Sequence, residues 1–491
     1  MFQSAELGHK LSKDDYEKEE SALRDQLLSV QYELLDKAPF SVLIVMGGVE
    51  GGGKSETINR LFEWMDPRHL QMHALHTPSS EEAELPRMYR FWRRLPPSGK
   101  IGMFLGSWYT DPVVERAYGQ NKLTDLDAQM EDAVHFERML TNERVLVIKF
   151  WLHLTKKAQK KRLEDLSSDR RTSWRVTSVD WERLDMYDRF RKVSEHALRK
   201  SSTAFAPWYV VEATDARYRE ITIGKIIHDA IRKRLDAPAQ NATDLTPPIV
   251  KPIDNRAILD ALDLTKTLPK EEYEDDLPKQ QGALNLLFRK SSMKKRSVVA
   301  VFEGVDAAGK GGAIRRITSA LDARSYDVTP VAAPTDEEKA RPYLWRFWRK
   351  LPRKSKLQIF DRSWYGRVLV ERIEGFCDED DWMRAYAEIN DFEEALTDSG
   401  AIVVKFWLQI GNDVQLQRFE EREHTSFKRF KIGPEDWRNR EKWDDYQRAA
   451  SEMIDRTSTN TAPWTIIEAN DKRHARVKVL RTLVSRLKSE L

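Results

Sequence analysis

The chain carries the pattern of one domain twice, and that repetition constrains its fold more than any other feature. At a shift of 256 positions, without a gap, Gly48-Val49-Glu50-Gly51-Gly52-Gly53-Lys54 falls on Gly304-Val305-Asp306-Ala307-Ala308-Gly309-Lys310. The same shift lays Arg90-Phe91-Trp92 on Arg346-Phe347-Trp348, Ser107-Trp108-Tyr109 on Ser363-Trp364-Tyr365, Lys149-Phe150-Trp151 on Lys405-Phe406-Trp407, and Ala206-Pro207-Trp208 on Ala462-Pro463-Trp464. A register kept through so many separated segments means two copies of one domain, head to tail. We expect residues 1–235 to form the first, residues 255–491 the second, and the proline-rich stretch Asp236 to Asp254 to link them.

Each copy reads as α/β. In the second, Val298 to Phe302 is a short β-branched apolar run of the kind a strand buried on both faces presents. It breaks into the GxxxxGK frame of a phosphate-binding loop, and Ile314, Ile317 and Leu321 follow at helical spacing. Gly304, Gly309, Gly311 and Gly312 let backbone N–H groups turn inward on phosphate oxygens, while Lys310 and the new helix end supply positive charge. Further strands are expected at Asp327 to Ala332, Lys356 to Phe360, Ile402 to Trp407 and Thr465 to Glu468. Tyr16 to Leu35, apolar at Leu23, Leu27, Val30 and Leu34, reads as an amphipathic helix packed on the first copy; its counterpart near Leu284 to Phe288 aligns less cleanly. The expected architecture is two tandem P-loop domains, each a parallel sheet flanked by helices, with the site at the carboxyl ends of the strands.

Composition narrows the classes. With 40% hydrophobic and 33% charged residues the chain is globular, no window is long and apolar enough to span a membrane, and the N-terminal stretch lacks a secretory core. A cytoplasmic protein is the expectation. Cys377 is the only cysteine, which excludes an intramolecular disulfide and a cysteine-cluster metal site. A net charge of +3 is too small to make the whole surface a polyanion binder, so any anion site is local.

The copies are not equivalent. The first loop ends in Lys54-Ser55, the usual P-loop form, whereas Gly311 stands where a P-loop NTPase carries its magnesium-holding hydroxyl. In compensation Phe360-Asp361-Arg362 ends a strand with an acid. The first copy has Leu105 and Gly106 at those two positions, Glu50 for Asp306 and Asp111 for Arg367. Leucine cannot ligate magnesium, so only the second copy is expected to be catalytic, with the first structural or ligand-binding. Asp306 is either a turn former or, with Asp361, half of a magnesium site. Arg362 and Arg367 are either surface charges or cleft cations, and Glu371 either faces the cleft or pairs with Arg372. The tract Arg418 to Lys431 reads as a solvated face or as a helical lid in which Arg418, Arg422, Lys428, Arg429 and Lys431 close over a polyanion. Phe347 and Trp348 are expected in the core.

At GVDAAGKGG, WRFWRKLP, FDRSWYGRVLVER and KRFK the chain resembles the family 2 polyphosphate kinases, once per half. The resemblance implies P-loop kinases that move a phosphoryl group between inorganic polyphosphate and a nucleotide with Mg2+, and for fused two-copy chains transfer to AMP by the second copy. It marks Asp306, Lys310, Asp361, Arg362, Arg367 and Glu371 as site residues, and Arg418 and Arg422 as lid arginines. Polyphosphate and AMP or ADP are the implied partners, no membrane or nucleic acid is required, and a homo-oligomer is left open. Two other functions fit the motifs: an ATP-dependent nucleoside monophosphate kinase, and a non-catalytic P-loop protein that binds polyphosphate or nucleic acid.

Overall fold

A computed structural model of the chain describes residues 1–237, 258–426, 430 and 432–491. Two five-stranded sheets account for its strands. The first contains β1 (Ser41–Gly48), β2 (Leu70–Ala74), β3 (Ile101–Leu105), β4 (Val145–His153) and β5 (Trp208–Glu212) in the order β2-β3-β1-β4-β5. The second contains β6 (Ser297–Gly304), β7 (Tyr326–Pro330), β8 (Leu357–Asp361), β9 (Ala401–Gln409) and β10 (Trp464–Glu468) in the order β10-β9-β6-β8-β7. The pairings are parallel, and the second sheet's order is the first one's read from the other edge.

The strands expected in the second copy are all present, to within two residues at most ends. The two central ones, β6 and β9, are buried nearly end to end, as parallel strands covered by helices on both faces must be. The helix Lys13–Lys37 turns Leu23, Leu27, Val30 and Leu34 into the core, and Lys270–Phe288 is its counterpart in the second copy despite the weaker sequence match. Phe347 and Trp348 are buried.

A charged knot recurs in both copies. Glu393, fully buried, accepts from Trp364 Nε1 at 3.1 Å, the Tyr365 hydroxyl at 2.7 Å and Lys405 Nζ at 2.6 Å, and Lys405 also donates to the Thr457 carbonyl at 2.6 Å. Glu137, Trp108, Tyr109, Lys149 and the Ser201 carbonyl repeat it. Burying a lone charge is prohibitive, so each ion is paired and hydrogen-bonded. The knot fastens the turn after β3 or β8 to the next helix and to the central sheet.

By contacts the chain divides into two units. One comprises Met1–Pro78, Arg90–Gln240 and Pro334–Trp345; the other comprises Ser79–Tyr89, Asn241–Ala333 and Arg346–Leu491. The helix Ala216–Asp236 runs through the first residue assigned to the linker, and residues 238–254 of that stretch lie outside the described residues. Among the described residues no helix is long and apolar enough to cross a membrane.

Candidate active site

In the second unit β6 lies between β8 and β9, where the strand order reverses, so the loop leaving its carboxyl end opens into the crevice that a doubly wound sheet offers a ligand. Gly304 has φ +141° and a Cβ there would run into the Leu408 carbonyl, which makes glycine obligatory. Gly309, at φ +107°, caps the helix Lys310–Thr318. From behind, the helix Asn412–Glu423 holds the loop's carbonyls: Gln415 Nε2 donates to Asp306 O at 3.1 Å, and Arg418 Nη1 to Ala307 O at 2.9 Å and Ala308 O at 3.3 Å. The Ala308 N–H bonds within the loop, to Val305 O at 3.2 Å, and loop N–H groups not so engaged remain for an anion. Lys310 Nζ donates to Gly304 O at 2.7 Å and Val305 O at 3.3 Å, keeping its ammonium within the loop.

Four of the residues singled out in sequence come together here. Asp306 Oδ1 accepts from Arg362 Nη2 at 2.6 Å and its Oδ2 from Asn439 Nδ2 at 2.8 Å. Burial works to raise the Asp306 pKa, yet Lys310 and Arg362, with the Asn439 hydrogen bond, outweigh it and hold the carboxyl below its ordinary range. Burial, then the neighbouring Arg362, pulls Lys310 down against the attraction of Asp306, Asp361 and Glu303. Asp361 ends β8 beside this group, paired in register with Phe302 of β6. Asp306 and Asp361 are oxygen donors on adjacent elements, Asp361 makes no side-chain hydrogen bond among the described residues, and both act on Lys310. Such a donor pair fits a hard divalent cation that keeps waters and phosphate oxygens as its other ligands.

Arg367 and Glu371 form an ion pair of 2.8 Å at the start of the helix Val370–Glu374. Glu371 therefore pairs with Arg367, not with Arg372, which binds Glu452 at 2.5 Å. The lid expectation is corrected at Arg418. Its side chain is buried, and Nη2 donates to Ala469 O and Asn470 O, each at 2.8 Å, so it braces the phosphate loop from below. Burial lowers its pKa to about 10. Arg422 sits one turn further on, in the last turn of the same helix. Lys428, Arg429 and Lys431 lie outside the described residues.

Two side chains at the site escaped the motif reading. Asn439 occupies the position of Arg183, and Glu303 that of Gly47; either mismatch between the copies could have revealed them. Glu303 is buried, and burial raises its pKa against Lys310.

The first unit fills the same frame with ion pairs of its own. Glu50 binds Arg183 and lies 3.5 Å from Lys54, and Lys54, against burial, holds its carboxyl low. Glu56, where the second copy has Gly312, accepts from Arg162 Nη2 at 2.9 Å, Arg175 Nη1 at 3.3 Å and Arg219 Nη2 at 3.4 Å. The Arg219 guanidinium packs where a Cβ of Gly53 would project, whereas a Cβ on Gly309 would meet open space. Carboxylates of the chain itself thus hold cations that a phosphate would otherwise occupy.

The profile of the family described as Polyphosphate kinase 2 (PPK2) matches residues 10–238 and 267–491. The chain belongs to the polyphosphate kinase 2 family. It is 53% identical to the polyphosphate:AMP phosphotransferase of Pseudomonas aeruginosa, over 98% of each chain. It is 50% identical to the protein of that name from Pseudomonas syringae pv. tomato, over 98% of this chain and 97% of the other. A solved polyphosphate kinase 2 structure from Pseudomonas aeruginosa superposes with a TM-score of 0.90 at 51% identity, covering 100% of this chain and 99% of that one. The family is thus present as two tandem copies, of which only the second combines an open phosphate loop with Asp361 and Arg362.

Proposed function

We propose that the second unit transfers the terminal phosphoryl group of inorganic polyphosphate to AMP, giving ADP, in the cytoplasm. The observation that carries this reading is the Asp306–Lys310–Asp361–Arg362 cluster at the mouth of an open phosphate loop, in a chain whose full-length relatives are named for that reaction.

The acceptor oxygen of AMP is already anionic near neutral pH, so no strong base is required. Charge is the obstacle, because bringing two polyanions together costs several kcal/mol unless cations intervene. Loop N–H groups and Lys310 bind the donor's terminal phosphates. Arg362, anchored on Asp306, and Arg367, held by Glu371, face the charge that spreads over the moving group in the transition state. Asp306 and Asp361 are the residues that would hold Mg2+, which when bound supplies further neutralisation of phosphate charge. Arg422 and the tract holding Lys428, Arg429 and Lys431 would cover the substrates and exclude water. Transfer is direct, with no phospho-enzyme.

The test supplies AMP with either polyphosphate or ATP as sole donor, using the purified chain and Asp361→Asn. Turnover with polyphosphate that disappears in the variant, at unchanged fold by circular dichroism, is the expected result. Turnover with ATP alone would make the chain an ordinary nucleotide kinase, and an Asp361→Asn protein as active as the parent would remove the metal pair from the reaction.

A further inference from the structure

The two copies act as an internal control that separates residues serving the fold from residues serving the chemistry. Trp364, Tyr365, Glu393 and Lys405 recur as Trp108, Tyr109, Glu137 and Lys149, with the same hydrogen bonds, in a copy without the acid and cations of the site. They serve the fold. Asp361, Arg362 and Arg367 are replaced together by Leu105, Gly106 and Asp111. Glu303 goes with the second group, since its counterpart is Gly47.

Glu303 lies at the end of β6, immediately before the phosphate loop, 4% exposed. Its Oε1 accepts from the Ser363 hydroxyl at 2.8 Å, and Ser363 Oγ in turn accepts from Tyr365 N at 3.3 Å. The carboxylate thus ties the strand that carries Lys310's loop to the turn that carries Asp361, Arg362 and Arg367. The first copy forms the start of this turn without the tie: Ser107 Oγ still accepts from Tyr109 N at 3.3 Å, and a Cβ at Gly47 would press on the Trp151 ring at 3.1 Å. Beyond it the first copy enters the helix Thr110–Tyr118, whereas the second runs through the 3-10 segment Trp364–Val368. A buried carboxylate is costly to keep, and the fold is complete without one here.

We propose that Glu303 is a positioning residue for phosphoryl transfer, acting through the Ser363 hydroxyl to hold the Asp361–Arg362 turn in register with the phosphate loop. The proposal rests on the reading of the second unit as the site of transfer. Turn and loop sit on neighbouring strands whose carboxyl ends are also joined by the Arg362 N–H, which donates to the Phe302 carbonyl at 3.0 Å, and by the Arg362–Asp306 pair, in which Asp306 is largely buried and Arg362 half-exposed. The Glu303–Ser363 bond adds a buried side-chain link beside these two, one that reaches beyond the strand ladder into the turn. Small displacements of such groups cost rate more than binding, because the transition state needs them placed more exactingly than the ground state does.

The experiment measures kcat, KM for AMP and thermal midpoint for Glu303→Ala, Glu303→Gln, Ser363→Ala and the double Glu303→Ala/Ser363→Ala in the full chain. We expect Glu303→Ala and Ser363→Ala each to lose about tenfold in kcat with KM for AMP unchanged, and the double variant to lose no more than either, since both remove one link. Glu303→Gln, which retains an acceptor for Ser363, should stay within about threefold of the parent. The thermal midpoint of Glu303→Ala should not fall, because the first copy folds with glycine at that place. The proposal is overturned if Glu303→Ala keeps kcat within about twofold of the parent, if the single losses multiply in the double variant, or if lost activity merely follows a lowered midpoint. A parent chain without polyphosphate-dependent turnover would refute the proposed function instead, so the two failures are distinguishable.

Discussion

Arg362 reaches Asp306 with a hydrogen bond of 2.6 Å from a backbone held at φ +66°. That left-handed conformation disfavours any residue with a Cβ, by about 1 kcal/mol. Gly106, its counterpart in the first unit, adopts the same region at φ +82° with no such cost. Strain retained at a site in one copy and relieved in the other is a mark of function.

Exchanging Arg362 for glycine should therefore separate stability from activity. Arg362→Gly is expected to leave the thermal midpoint within a degree or two of the parent, or to raise it, while turnover falls by about 10²-fold through loss of a charge aimed at the transferring group. Calorimetry together with steady-state kinetics checks both halves; retained turnover would show that the guanidinium serves the loop's shape alone.

The two phosphate-loop lysines should respond differently. Lys310→Ala should abolish turnover, and Lys54→Ala should leave it within a few-fold of the parent, because Lys54 already lies in ion-pair range of Glu50. Equal losses in the two variants would overturn the assignment of the active unit.

Glu56 ties the helix Lys156–Ser168 and the turn Ser173–Arg175 to the loop helix Lys54–Trp64 through Arg162 and Arg175. Placing the second copy's residue there, Glu56→Gly, releases both arginines. Each exposed pair is worth about 0.2–1 kcal/mol, so trypsin should cut near Arg170 and Arg171 about 5-fold faster than in the parent. A cleavage rate unaffected by the substitution would mean that packing, not these ion pairs, holds the segment.

Glu468, at the end of β10, accepts from Lys266 Nζ at 2.8 Å and Lys478 Nζ at 2.6 Å. Burial would raise its pKa, but the two lysines outweigh it and hold the carboxyl at about 2. A carboxyl whose folded pKa lies below its unfolded value of about 4.3 contributes stability that is complete well above that value and is lost as pH falls toward 2. The difference in thermal midpoint between the parent and Glu468→Gln should accordingly be largest near pH 7 and shrink below about pH 4.5. A difference independent of pH would place the effect in packing and not in the ionised form.

Much of the site was legible because its chemistry is local in the chain. Gly304 to Lys310 must be contiguous to wrap a phosphate, and Asp361-Arg362 follows an apolar run that could only be a buried strand. Arg418 was misplaced for the opposite reason. The tract that follows it, from Glu420 to Glu423, is charged and largely exposed, while the carbonyls that bury its guanidinium come from positions 307, 308, 469 and 470. Asn439 and Glu303 lie in no motif, and only spatial proximity joins them to Asp306 and Ser363.

By itself the sequence determined that there are two copies of one α/β domain, that each begins its site with a phosphate loop, and that the copies differ at Asp361, Arg362, Arg367 and Asp306. These follow from periodicity, residue chemistry and the shift of 256 positions, none of which needs a third dimension. Tertiary structure alone decided which cations are already engaged: Arg162, Arg175 and Arg219 around Glu56 in the first unit, and Arg362 on Asp306 beside an open loop in the second. The physical reason is that an ion pair depends on a separation of a few ångströms between groups that can be more than a hundred residues apart along the chain.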